Sequence, residues 1–236
     1  MSAAREHFGS RIGFILAAAG SAVGIGNLVS FPVAATKSGG GAFLLVYAFF
    51  VFLICLPVMM AELALGRKSD KDPVGAYRQL SGGSRLWRIP GWLALFTPYM
   101  IAVFYMVVTV WVLGYLVETI KGNLDILATE SYFGTFINAK VVFVYLIVLM
   151  LIINGVLSMG VRDGIERAAK TLMPMLFVML LGLVIFVLTR EGAGTGIKYY
   201  LIPDFGKLNA EVVSKAMSQA FFSLSLGMGI MITYGS

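Results

Sequence analysis

Oxygen ligands and broken backbone concentrate in two short stretches of this chain. The first, Gly20-Ser21-Ala22-Val23-Gly24-Ile25-Gly26-Asn27, sets three glycines and an asparagine inside an apolar run of membrane-spanning length. The second, Ser223-Leu224-Ser225-Leu226-Gly227-Met228-Gly229, sets two serines and two glycines in an apolar run bounded by Ala216 and Tyr234. In hydrocarbon an unpaired backbone carbonyl or amide costs several kcal/mol, so broken backbone persists at membrane depth only where it faces protein or a polar cavity. Each stretch therefore reads as an interrupted helix with something polar bound at the interruption. Two such breaks facing each other offer positive half-helix N-termini to an anion and free carbonyls to a cation, which suits a zwitterion together with a metal ion. The other reading of either stretch alone is close helix packing, a common use of small residues in membranes. Asn27 and Glu62 both stand in apolar surroundings and weigh toward binding; an intramembrane acid is costly unless paired or protonated, and so marks function by default.

The elements that position these residues follow from composition. The 236 residues are 59% hydrophobic and 13% charged, with a mean hydropathy of +0.89, far from the roughly one-quarter charged composition of soluble domains. Apolar runs lie at about 12–36, 41–66, 90–120, 140–160, 168–189 and 208–236, each near or above the roughly 20 residues that cross ~30 Å of hydrocarbon. Leu, Ile, Val, Phe and Met come in blocks and not at every second position, which excludes a membrane barrel. The sequence predicts an all-α integral membrane protein, one membrane domain of six helices with the first and sixth discontinuous.

The net charge of +6 is a matter of topology, not of nucleic-acid binding. Arg67, Lys68, Lys71, Arg78, Arg85 and Arg88 follow the second helix, and Arg162, Arg167 and Lys170 separate the fourth from the fifth. With Arg5 and Arg11 they make eleven of the eighteen basic residues on one side, which puts the N-terminus in the cytoplasm of a multi-pass protein of the cell's inner (plasma) membrane. No signal-peptide cleavage pattern follows the first apolar run. The polar stretches 67–90, 121–139 and 190–207 read as loops. Asp72-Pro73 and Ser81-Gly82-Gly83-Ser84 supply turn chemistry, Thr135 or Asn138 an N-cap for the fourth helix, and residues 162–167 a short charged turn. Pro174 is expected to kink the fifth helix, because proline removes a backbone hydrogen bond.

Several chemistries are excluded. The single cysteine, Cys55, permits no intrachain disulfide and reads as a packing residue; the single histidine, His7, has no second His or Cys beside it to build a metal site. No nucleophile–base pair occurs, so the chain is not read as an enzyme and no organic cofactor is expected.

Ordered along the chain stand Arg5-Glu6-His7, Gly20 through Asn27, Phe31-Pro32, Gly39-Gly40-Gly41-Ala42-Phe43, Glu62-Leu63-Ala64-Leu65-Gly66-Arg67, Gly164-Ile165-Glu166, Pro203-Asp204-Phe205 and Phe221 through Gly229. In these motifs and their spacing the chain resembles the neurotransmitter:sodium symporter family, especially its bacterial amino-acid transporters. The resemblance implies the first inverted repeat of the broken-helix transporter fold and sodium-coupled symport of an amino acid by alternating access. It also implies a ligand set. The carbonyl of Ala22, the side-chain carbonyl of Asn27 and the hydroxyl and carbonyl of Ser223 match the first sodium site, whose shell the substrate carboxylate completes. Gly20 and Val23 match first-helix carbonyls of a second sodium site. Ile25 and Gly26 lie where main-chain amides meet the substrate carboxylate, and Tyr105 matches a tyrosine whose hydroxyl does likewise, although on its own Tyr105 reads as a lipid-facing or core aromatic. Ile101, Phe222, Ser225 and Met228 match the side-chain pocket and the groups around the substrate amine. Gly24 stands where monoamine carriers have an aspartate, which favours an amino acid, and Met228 with Ile101 leans toward an apolar one. Glu62 matches a scaffold acid bonded to the broken sixth helix. Arg5 matches an intracellular gate residue, or serves topology alone.

The chain departs from the family pattern in two places. Val29-Ser30-Phe31-Pro32 stands where many members carry Trp-Arg-Phe-Pro, so the arginine of the outer gate is missing. The family has about twelve helices in two inverted halves, whereas the sequence ends at Ser236 within the sixth. The expectation is an N-terminal portion whose remaining ligands and gate partners lie in a missing C-terminal half, and which does not transport alone. The alternative is a half-length membrane interaction or assembly module without transport activity.

Overall fold

A computed structural model describes residues 8–236. Every long segment is helical, and the only β pairing among the described residues is an isolated bridge between Gly40 and Pro203. The contacts among the described residues form two compact units, one of residues 8–95 together with Glu166–Ser236 and one of Phe96–Ile165.

In the first unit, α1 (Arg11–Ala22) and α2 (Gly26–Lys37) are bent 58° from each other at Val23–Ile25. Ser10 caps α1, its hydroxyl accepting from the Gly13 amide at 3.0 Å, and the helix ends where Val23 takes extended backbone (φ −92°, ψ 116°). The glycine-rich stretch thus breaks the span as its composition predicts. Helix α3 (Gly41–Ser69) follows, with one π-wound turn at Val51–Cys55. The stretch 67–90 is not all loop. Asp72 accepts from the Gly75 amide at 2.6 Å and starts α4 (Pro73–Leu80), because Asp followed by Pro is an N-cap with the first helical position preset. Helix α5 (Arg88–Ile120) divides between the units at Leu95.

The second unit holds the rest of α5, a helical turn at Leu124–Leu127, α6 (Glu130–Ile137) and α7 (Val141–Ser158). Aromatic rings pin α6 to α5 and α7: Trp111 meets Phe133 edge-on at 5.1 Å, Tyr115 meets Tyr132 at 5.3 Å, and Phe136 lies 6.2 Å from Tyr145. Neither expected cap forms. Thr135 and Asn138 turn back to the carbonyls of Ser131 and Gly134, because they close α6 where the sequence reads as loop, and Lys140 leads into α7 without a side-chain bond.

Helix α8 (Val161–Leu188) absorbs the charged stretch 162–167 into a π-wound first segment, Val161–Glu166, and runs on through Pro174 as one helix. The polar stretch 190–207 likewise contains α9 (Ala193–Leu201). Helices α10 (Ala210–Ser223) and α11 (Ile230–Gly235) flank the second break, with Asn209 capping α10 by accepting from Val212 at 2.9 Å. Helix α10 is anchored on α3 through Phe43, Val212 and Ala216, and again through Cys55, Ala220 and Leu226, so Cys55 is indeed a packing residue. Helix α11 lies so close to α3 that a Cβ on Gly66 would strike the Ile232 carbonyl.

Among the described residues four helices (α3, α5, α7 and α8) are long and apolar enough to cross a membrane, and the bent α1–α2 pair passes the same test if counted as one span. In the most apolar stretches of α7 and α8 no residue is buried, and side chains such as Phe143, Leu151, Phe177 and Val178 are exposed. Apolar surface on this scale belongs against lipid, and the fold is that of a multi-pass membrane protein.

Candidate ion and substrate site at two helix breaks

The two breaks meet within the first unit. Across the first, the Asn27 side-chain amide donates to the Ala22 carbonyl at 2.8 Å. The Ser223 hydroxyl, at the last residue of α10, donates to the Asn27 side-chain oxygen at 3.1 Å, joining residues 196 positions apart. One turn along the second break, the Ser225 hydroxyl donates to the Ser21 carbonyl at 3.0 Å. Gln219 adds a third tie: its side-chain amide donates to the Gly26 carbonyl at 3.3 Å and reaches the Ser223 hydroxyl at 3.5 Å. Gly26, Ser223 and Ser225 are buried.

The second break is built from left-handed backbone. Ser225, Gly227 and Gly229 have φ of 53°, 75° and 67°. Glycine adopts this region freely, whereas a serine there is strained and is held by its surroundings, here by the bond to Ser21. Glu62 of α3 supports the same loop. It is 6% exposed, and its Oε1 accepts from the Gly227 amide at 2.8 Å while Oε2 has no hydrogen-bond partner among the described residues.

The oxygens of Ala22, Asn27 and Ser223 are a backbone carbonyl, an amide carbonyl and a hydroxyl joined through one side chain. Neutral hard oxygens of this kind suit a hard cation such as sodium. The remaining sequence-predicted residues fall into groups. Gly24 and Ile25 lie half-buried at the bend, Gly20 lies beside Met173 of α8, and Val23 ends α1. Phe222, at the end of α10, and Met228, within the second break, are half-buried. Ile101 and Tyr105 sit one turn apart on α5 in the second unit, both half-buried, with Tyr105 accepting at its carbonyl from Thr109 at 2.6 Å. Arg5 and His7 lie outside the described residues. Gln219 is absent from the sequence-derived set; the available signal is a lone amide one helical turn before Ser223 in an apolar helix, which puts both on one face.

Comparison with known proteins agrees with this geometry. The model of the sodium:neurotransmitter symporter family matches residues 5–141 and 135–236. An uncharacterized sodium-dependent transporter of Bacillus subtilis is 38% identical over 96% of this chain and 51% of its own length. The sodium- and chloride-dependent taurine transporter of Bos taurus is 27% identical over 98% of this chain and 44% of its own. The crystal structure of MhsT in complex with L-phenylalanine superimposes with a TM-score of 0.86 at 41% identity, covering 98% of this chain and 54% of that one. The chain thus spans about half the length of the curated relatives it matches. Family model, relatives and helix breaks all lead to one conclusion: the chain belongs to the sodium:neurotransmitter symporter family.

Proposed function

We propose that the chain carries the ion and substrate determinants of a sodium-coupled symporter for a small, apolar amino acid, working by alternating access. The observation that carries this reading is the convergence of Ala22, Asn27 and Ser223 across two facing helix breaks. In the ion-bound site the oxygens of these three residues turn to sodium in place of one another, and the substrate carboxylate completes the shell. Ion and substrate are thereby coupled through direct contact. The carbonyls of Gly20 and Val23 contribute to a second sodium. The amides of Ile25 and Gly26 and the hydroxyl of Tyr105 receive the carboxylate, and Phe222, Ser223 and Ser225 face the amine. Ile101 and Met228 line the side-chain pocket beside Gly24. Glu62 is scaffold, holding the Gly227 amide and with it the unwound loop. Arg5 gates the cytoplasmic side, on which the N-terminus of this plasma-membrane protein lies. The L-phenylalanine bound to MhsT supports an amino-acid substrate.

Because the chain spans about half the length of those relatives, the full transport cycle is assigned to the length they have, their other half supplying the ligands and gate partners not found here. Sodium-dependent binding of a panel of radiolabelled amino acids to membranes expressing the gene tests the reading. Apolar amino acids bind best in sodium, and Asn27→Ala removes the sodium dependence. Binding indifferent to sodium sinks it.

A further inference from the structure

Away from the two breaks, the start of α1 is held by one buried acid. Glu166 closes the π-wound segment of α8 and its side chain is 2% exposed. Its Oε2 accepts from the Gly9 amide at 2.6 Å. Its Oε1 accepts from the Ser10 hydroxyl at 2.9 Å and pairs with Lys170 one turn further along α8 at 2.6 Å. Ser10 is also the N-cap of α1, accepting from Gly13, so one hydroxyl both starts the helix and donates a hydrogen bond to Glu166. The carboxylate therefore sits at the positive end of the α1 dipole, where an anion is stabilised and where the first backbone amides lack intrahelical partners. The fit is close. A Cβ on Gly13 would strike the Glu166 carboxyl, so α1 needs glycine at that position for the acid to enter.

Helix α1 bears Gly20, Ala22 and Val23 at its far end, and its bend from α2 leaves it a separate half-helix. Nothing covalent ties its near end to α8 except the long path of the chain. We infer that Glu166 is a positioning residue: a clip that locks the near end of α1 onto α8, and whose release frees α1 to swing about the bend at Val23–Ile25. Lys170 holds the acid oriented, and the two N-terminal bonds are the ones that break. The role as a gate for motion rests on the transport reading above; the clip itself does not.

The test is the accessibility of α1. Ala17, 3% exposed, is replaced by cysteine in the full chain, and its rate of labelling by a water-soluble maleimide is followed; the native Cys55 is fully buried. Glu166→Gln raises the rate by about tenfold or more, the factor equivalent to losing one charge-assisted hydrogen bond. Gly13→Ala, which leaves every clip residue chemically intact but expels the carboxylate, does the same. Lys215→Gln, which removes one partner of an exposed ion pair on α10, leaves the rate unchanged. Ser10→Ala, which keeps the bonds to Gly9 and Lys170, carries the test if Glu166→Gln fails to fold, with a smaller rise of the same sign. A labelling rate in folded Glu166→Gln, Gly13→Ala or Ser10→Ala equal to that of the parent overturns the clip. Sodium-dependent substrate binding by the parent is measured alongside: its absence, with the labelling rise intact, sinks the transport reading and leaves the clip standing.

Discussion

The bond from Ser223 to Asn27 is the contact that makes two distant helix breaks into one site, and its strength can be isolated by a double-mutant cycle. Asn27→Ala removes two hydrogen bonds, to Ala22 at 2.8 Å and from Ser223 at 3.1 Å. At about 1 kcal/mol net for each, the substitution costs about 2 kcal/mol. Ser223→Ala removes only the second of these and costs about 1 kcal/mol. The weak Gln219 contact at 3.5 Å is lost in both Ser223 variants and cancels in the cycle; the double variant otherwise loses the same two bonds as Asn27→Ala, so it costs about 2 kcal/mol where additivity requires about 3, a coupling of about 1 kcal/mol. Unfolding in mixed micelles titrated with a denaturing detergent, followed by circular dichroism, supplies the four stabilities. Singles that add to within about 0.3–0.5 kcal/mol in the double refute the contact, and with it the convergence of the breaks.

Glu62 provides a second test. Glu62→Gln keeps an acceptor for the Gly227 amide and retains sodium-dependent binding, whereas Glu62→Ala leaves that amide without its partner and loses binding by about tenfold, the equivalent of about 1.4 kcal/mol. Equal losses in the two would point to charge or proton transfer instead of scaffold duty. Gly66→Ala forces a methyl against the Ile232 carbonyl and lowers unfolding stability by about 1–3 kcal/mol, while Gly155→Ala, where a methyl meets nothing within 4 Å, is neutral or slightly stabilising. Vesicles containing residues 1–236 alone take up no amino acid under a sodium gradient, since alternating access needs one bundle moving against another. Uptake abolished by Asn27→Ala would contradict that expectation.

Much of the fold was legible because membrane thickness leaves few options. Long apolar blocks read as spans, and glycine with serine inside them read as breaks, since glycine alone adopts freely the left-handed backbone found at Gly227 and Gly229. The short helices were not legible. Pro73–Leu80 rests on the Asp72 cap, Glu130–Ile137 on ring contacts, and Ala193–Leu201 is too short for a long apolar pattern, so their stretches read as loop. Thr135 and Asn138 were misplaced for that reason. The pairing of residue 27 with residue 223 has no local signal; in the sequence it follows only from the family resemblance, and in the structure from α10 lying against α3 through Phe43, Cys55 and Ala216. Gln219 carries only a weak signal in the sequence, because a single amide in a helix is ordinary until its partner, the Gly26 carbonyl, is in view. Glu166 read as part of a charged turn, and its burial depends on Gly13, more than 150 positions away.

The most direct measurement is equilibrium binding of a labelled apolar amino acid to the protein in membranes, titrated with sodium and, separately, with potassium, for the parent, Asn27→Ala and Lys215→Gln. Binding that saturates with sodium, is absent in potassium, survives Lys215→Gln and disappears in Asn27→Ala is the outcome expected if Ala22, Asn27 and Ser223 hold the coupling ion. Binding of equal strength in potassium, or sodium dependence that persists in Asn27→Ala, would contradict it.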